Sequence, residues 1–364
     1  MKKIVSIVLV AAMAMTMAVG CAGKAADTEV EVDETTTAAV AEETTAADAE
    51  ETTAADTETP DVETGDYVDG LGDVKANDKY NFGFTISIRD QFLSYMEAAW
   101  TAECAKLGVN QTVVDANNNA NTQISQVQTF ASQDVDGIVV NLVNTDNTAE
   151  MVQAAGDIPV VFVNRAPSVD LEKGKATYCG SDENNSGRYQ GEFLAEFFEE
   201  KGKTDVNIVL FQGLLGLQNT ILRTESAKKA LADAGINATY VLDDTAEWDR
   251  AKAMNKMQTF LGTNKEFDAV ICNNDEMALG CIEAMRAAGV DLAEIPVVGI
   301  DATPEALNSI DQDELAFTVF QNPVGQGAGS ARALTLMANG EEVDIVVDIP
   351  FEPVSKDNYK EYMK

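Results

Sequence analysis

The chain has 364 residues, with 61 Asp and Glu against 25 Lys and Arg, a formal charge of −36, and no histidine. Such acidity argues against a nucleic-acid binder, because little is available to neutralise phosphates. The missing imidazole excludes Ser-His-Asp and Cys-His catalysis and histidine-ligated zinc. The length fits two domains plus extensions. Cys21, Cys104, Cys179, Cys272 and Cys281 form no C-x-x-C pair and are too sparse for a disulfide scaffold.

Lys2 and Lys3 followed by the apolar run 4–19 predict a signal peptide over 1–20. The run ends Met17-Ala18-Val19-Gly20-Cys21 and resembles the lipobox of bacterial lipoproteins, with Ala18 where Leu is usual. That resemblance implies cleavage before Cys21 and a lipid on its sulfur; a plain secretory peptide cleaved nearby is the alternative. Either way the chain is expected to be exported, and nothing after Cys21 is long enough to span a bilayer.

Residues 21–78 read as a disordered acidic linker. The octapeptide Ala-Glu-Glu-Thr-Thr-Ala-Ala-Asp occurs at 41–48 and again at 49–56, and 22–78 holds eighteen Asp and Glu against Lys24 and Lys75. Low apolar content and charge of one sign leave too little surface to bury against the entropy of ordering.

From residue 79 onward, short β-branched runs alternate with amphipathic stretches, the signature of βαβ units around parallel sheets. In chain order the predicted elements are a strand over 81–87, a helix over 91–107, strand 111–115, helix 121–133, strand 137–142, helix 147–155 and strand 159–164. Helix 186–201 follows, then strand 206–212, helix 223–234, strand 239–242, helix 248–261, strand 269–272, helix 276–288, strand 296–300 and helix 304–310. In the first helix Met96, Ala99, Trp100, Cys104 and Leu107 share one face. The halves repeat each other: 136–141 answers 267–273, and Ile158-Pro159-Val160-Val161 through Pro167 answers Ile295-Pro296-Val297-Val298 through Pro304.

Open parallel sheets bind ligands beyond the carboxyl ends of their strands. Those ends carry Asp90 with Phe92, Asn164 with Arg165, Asn219 with Arg223, Trp248, Asn274 with Asp275, and Asp301. Carboxylates, amides and guanidinium groups can each bond neighbouring hydroxyls, and aromatic faces can cover the CH face of a sugar ring. Taken singly, each residue has a plainer reading. Asp301, Asn274 and Asp275 could cap helices, Arg223 could lie on a helix surface, and Phe92 and Trp248 could be core.

Segments 158–168, 178–182, 242–249, 270–280 and 295–307 resemble the galactose/glucose binders within the ribose-type cluster of bacterial periplasmic sugar-binding proteins. The resemblance covers essentially all of 79–364. It implies the α/β fold of a type I periplasmic binding protein, two Rossmann-like lobes with parallel sheets joined by three crossings. The lobes would be 79–181 plus 322–346 and 182–321 plus 347–364.

It also implies a monomer that is not an enzyme, holds a monosaccharide in the cleft and serves an ABC-type permease, or alternatively a chemoreceptor. By the same resemblance Asp90 bonds a sugar hydroxyl, Phe92 and Trp248 sandwich the ring, and Asn164, Arg223, Asn274 and Asp301 make polar contacts. Leu217, Asn219 and Gln321 stand where the galactose/glucose pattern has His, Asp and Asn, while Gln321 and Arg165 resemble the ribose type. Galactose or glucose is therefore the leading ligand, with ribose, xylose or another monosaccharide as alternatives. The family's calcium loop has no counterpart at 203–207, so no metal and no cofactor is expected. A glycosidase using Asp90 and Asp301 as paired carboxylates is the remaining catalytic alternative.

Overall fold

The computed structural model describes residues 70–363, so the signal peptide, Cys21 and the linker as far as residue 69 lie outside the described residues. In chain order the strands are β1 (Asn81–Ile86), β2 (Asn110–Asp115), β3 (Gly137–Val140), β4 (Val160–Val163), β5 (Ala176–Gly180), β6 (Asp205–Gln212), β7 (Asn237–Thr245), β8 (Ala269–Cys272), β9 (Val297–Val298), β10 (Phe317–Phe320), β11 (Val346–Asp348) and β12 (Glu352–Ser355). They form two sheets, ordered β11-β5-β4-β3-β1-β2 and β12-β10-β9-β8-β6-β7. Strand pairing is parallel throughout except where β12 runs antiparallel to β10. An antiparallel edge strand on a doubly wound sheet is ordinary, and the α/β fold of two parallel-sheet lobes stands.

The helices are α1 (Gln91–Leu107), α2 (Ala120–Ser132), α3 (Thr148–Ala155), α4 (Glu183–Glu200), α5 (Gln218–Asp233), α6 (Arg250–Leu261), α7 (Asp275–Ala287), α8 (Pro304–Asp311) and α9 (Pro323–Ala338). They cover both faces of each sheet, which is why β3, β4 and β8 are apolar and buried from end to end. In α1 the expected face is realised: Met96, Ala99, Trp100 and Cys104 are buried, with Leu107 at the edge of the same core. The helix stops at Gly108, whose φ of 71° suits the left-handed C-terminal position that glycine occupies without strain.

Four strands and one helix had no counterpart in the sequence reading. β5, β10, β11 and β12 are three to five residues long and each is broken by Thr, Asp, Glu or Ser, whereas the equally short β3, β4 and β8 hold no such residue. α9 begins with Pro323 and includes Gly325, Gly327 and Gly329, which read as loop. It is buried nearly all round, so no amphipathic period marks it. Its glycines permit close helix contact: a Cβ on Gly327 would lie 2.3 Å from the Met96 carbonyl oxygen of α1.

Two expected boundaries move. β11 belongs to the first sheet and the Ile349 amide still donates to the Gly180 carbonyl at 2.8 Å, so the third crossing follows residue 349 and not 346. The end of the expected disordered linker is also structured. Val74 is buried, the Asn339 side chain donates to the Lys75 carbonyl at 2.8 Å, and the Arg332 guanidinium donates to the Gly72 carbonyl. Apolar contacts from Leu71 and Ala76 explain the docking despite the local acidity.

Candidate functional site

Two buried asparagines at equivalent strand ends set the frame of the cleft. Asn141 follows β3, and its Oδ1 accepts from the Ser87 amide at 3.2 Å and hydroxyl at 2.6 Å. Its Nδ2 donates to the Val163 carbonyl at 3.2 Å and to Asn164 Oδ1 at 3.3 Å. Asn273 follows β8 and takes the same accepting role in the second lobe, from the Gly213 amide at 3.1 Å and the Thr224 hydroxyl at 3.2 Å. Each ties neighbouring strand ends together through its Oδ1, but only Asn141 also spends its Nδ2; Asn273 Nδ2 is buried without a hydrogen-bond partner. Sequence reasoning saw both asparagines only as part of the repeat. Their shared place at the close of equivalent strands was the signal for a role.

Backbone strain recurs at equivalent places. Asn164 and Asp301, which match in the repeat, have φ of 67° and 129°. The turns after β2 and β7 match as well: Asn117 and Asn118 have φ of 50° and 54°, Glu247 and Trp248 56° and 66°. Non-glycine residues adopt such values when surrounding structure enforces them, and they cluster at functional sites.

All ten expected residues meet at one cavity between the lobes: Asp90, Phe92, Asn164 and Arg165 from the first, Asn219, Arg223, Trp248, Asn274 and Asp301 from the second, and Gln321 at a crossing. Leu93 joins them. The cavity holds about 340 Å³ of atom-free space, its mouth included. Leu217 is buried but does not line it.

Several of the plainer readings hold alongside cavity position. Asp90 caps α1 through the Leu93 amide at 2.7 Å, and Asn274 caps α7 through the Met277 amide at 3.1 Å. Capping fixes their rotamers toward the cleft. Phe92 is both core and cavity wall. Arg223 is a helix residue as expected but is 3% exposed, not on the surface. Asp301 caps nothing; Thr303 caps α8. From α9, Gln326 accepts from Asn164 Nδ2 at 3.1 Å and donates to the Ser181 hydroxyl at 3.2 Å, so an element missed in the sequence orients an expected site residue.

The two arginines are held differently. Arg165 donates to the carbonyls of Leu142 at 2.7 Å and Val143 at 3.4 Å, and burial lowers its pKa to about 10 despite Asp90. Arg223 forms a two-point ion pair with Glu183, Nε–Oε2 2.7 Å and Nη2–Oε1 3.1 Å. Burial works against its charge, but Glu183, with Asp301 and Tyr178, raises its pKa overall. Burial raises the Asp90 and Asp301 carboxyls, Asp301 well above the usual range with Asp275, Asp90 and Glu183 adding to the rise. Two donors at the cavity, Trp248 Nε1 and Gln321 Nε2, are buried without a hydrogen-bond partner. Buried donors are seldom left so, and at a cleft they mark where a ligand oxygen fits.

Among the described residues no cluster of three or more His, Cys, Asp or Glu side chains could hold a metal. Cys104, Cys179, Cys272 and Cys281 are buried.

The chain is 39% identical over 259 residues to a putative rhizopine-binding protein of Rhizobium meliloti, covering 70% of this chain and 82% of that one. It is 32% identical over 297 residues to a D-galactose/methyl-galactoside binding periplasmic protein of Haemophilus influenzae, covering 76% and 89%. An ABC transporter solute binding protein from Bacillus halodurans with bound myo-inositol superposes with a TM-score of 0.73 at 37% identity, covering 80% and 99%. These relatives are solute-binding proteins and not enzymes, which sets aside the glycosidase alternative. The periplasmic binding protein domain matches residues 82–342, and the chain belongs to that family.

Proposed function

We propose that this chain is the exported solute-binding component of an ABC-type importer and that it captures a neutral ring polyol of the inositol class. The observation that carries the reading is the interlobe cavity, where acceptors from both lobes (Asp90, Asp301), two unpaired donors (Trp248 Nε1, Gln321 Nε2) and two aromatic rings converge. A hydroxyl donates and accepts at once, so a ring bearing hydroxyls on all sides satisfies this mixture. Aromatic faces accept its CH faces.

Support for a cyclitol over a hexose comes from the relatives: the rhizopine binder and the myo-inositol complex are more alike to this chain than the galactose binder. Galactose or glucose is the second reading, favoured by the aromatic pair Phe92 and Trp248. Contacts made from both lobes favour the closed arrangement, because only a ligand with differential affinity for the two states can shift them. Cys21 is the proposed lipid attachment, and incorporation of labelled fatty acid that Cys21→Ser fails to abolish would contradict it.

The test is thermal unfolding of the purified chain against myo-inositol, galactose, glucose, ribose and xylose at millimolar concentration. A ligand at about 100 times its dissociation constant adds about 2.7 kcal/mol, a clear shift. The largest shift should come from myo-inositol. A shift only with galactose or glucose would replace the cyclitol reading by the hexose one, and no shift with any polyol would overturn both.

A further inference from the structure

Arg223 draws partners from all three chain crossings. Glu183 opens α4 just after the first crossing and receives two of its N–H groups. Gln321, at the second, accepts from Nη2 at 3.2 Å. Phe351, at the third, has its ring centroid 5.8 Å from the guanidinium carbon. On the cavity side the nearest Asp301 oxygen is 3.9 Å away and the Trp248 ring 5.6 Å. Glu183 is 2% exposed and takes no part in the cavity wall.

A guanidinium buried this deeply requires a counter-charge, and two carboxylates lie within reach. The two-point geometry goes to Glu183, while Asp301 stays beyond hydrogen-bond distance. We infer that Glu183 is a positioning residue for ligand binding, holding the Arg223 guanidinium away from Asp301 so that the Asp301 oxygens remain available to the ligand. The inference rests on the reading of the cavity as a polyol site. Glu183 itself touches no ligand; it acts through Arg223. Removing its charge turns the buried guanidinium toward the other carboxylate in reach, and the ligand loses an acceptor.

The experiment is calorimetric titration of the full chain with myo-inositol in wild type, Glu183→Gln, Asp301→Asn and the double variant. Glu183→Gln should weaken binding about tenfold or more, the scale of a charged hydrogen bond. In the Asp301→Asn background the same change should add less than about twofold, because no carboxylate is left to divert. A purely structural Glu183 would lower the unfolding temperature and either leave the dissociation constant unchanged or act equally in both backgrounds, and either result overturns the inference. Should wild type bind none of the polyols, the ligand reading fails separately, and the ligand-free protein decides the positioning claim. There the Arg223 Nε–H should be protected from exchange in ¹⁵N-arginine spectra. Exchange as fast as that of exposed arginines would show that Glu183 does not hold it.

Discussion

The two lobes share a strand order and the paired asparagines Asn141 and Asn273, yet they present different chemistry to the cleft. Where the second lobe sets Trp248 on a left-handed turn, the first sets Asn118 on the same turn. Where the second holds its arginine by a carboxylate, the first holds Arg165 by backbone carbonyls. Two residues beyond Asn273 stands the buried acid Asp275; two beyond Asn141 stands Val143. The difference teaches that the repeat supplies positions, while side-chain identity at a few strand ends decides what each lobe offers.

The largest expected effect separates the arginines. Arg223→Met strands the buried Glu183 carboxylate and should cost about 3–5 kcal/mol in urea unfolding. Arg165→Met frees only carbonyls and should cost about 1–3 kcal/mol. Equal losses would break the contrast between the lobes.

Next comes the floor beneath Trp248. A Cβ on Gly213 would lie 2.0 Å from the indole ring, so Gly213→Ala must displace the ring or the strand. The strain is about 1–3 kcal/mol, equivalent to about a 5- to 150-fold loss of myo-inositol affinity by calorimetry if it falls on the ring. Ser87, the matching residue, already carries a Cβ, and Ser87→Ala removes only the hydroxyl bond to Asn141, about 1 kcal/mol of stability.

Making the lobes alike should cost slightly less. Trp248→Asn removes one ring face and should weaken myo-inositol binding about tenfold, whereas Asn118→Trp should bring no gain. A gain there would mean that the first lobe is an open position for the same contact.

The smallest effect is a pH dependence. Burial raises the Asp275 carboxyl to about 6, against hydrogen bonds from the Thr318 hydroxyl at 2.7 Å and the Thr303 amide at 2.9 Å. The folded state therefore binds this proton more tightly than the unfolded state. Its contribution to stability is greatest at acid pH and declines as pH rises from about 4 through about 6. Unfolding free energy should be about 1 kcal/mol higher at pH 5 than at pH 7 from this group. Asp275→Asn should flatten that slope in matched urea titrations; an unchanged slope would assign it to other groups.

Much of the fold was legible because buried parallel strands are continuous apolar runs and α1 shows a clean helical period. The site residues were legible for a different reason: βα turns concentrate polar side chains at one sheet edge, so Asp90, Asn164, Asn274 and Asp301 could be found by position alone. What stayed hidden lacked a local signature. Glu183 looks like any acid at a helix start, and only the fold brings it to Arg223, forty residues on. Gln326 lies in a glycine-rich helix whose all-round burial erases the pattern that would have announced it.

The central claim is that one ring polyol is gripped from both lobes, and calorimetric titration of Asp90→Asn and Asp301→Asn with myo-inositol tests it most directly. Asn at position 90 keeps the helix cap, so the comparison isolates the charge. Each single variant should lose about tenfold in affinity, the scale of a hydrogen bond to a charged group. A variant that binds within about twofold of wild type would show that its lobe contributes no grip, and the clamp between the lobes would be wrong.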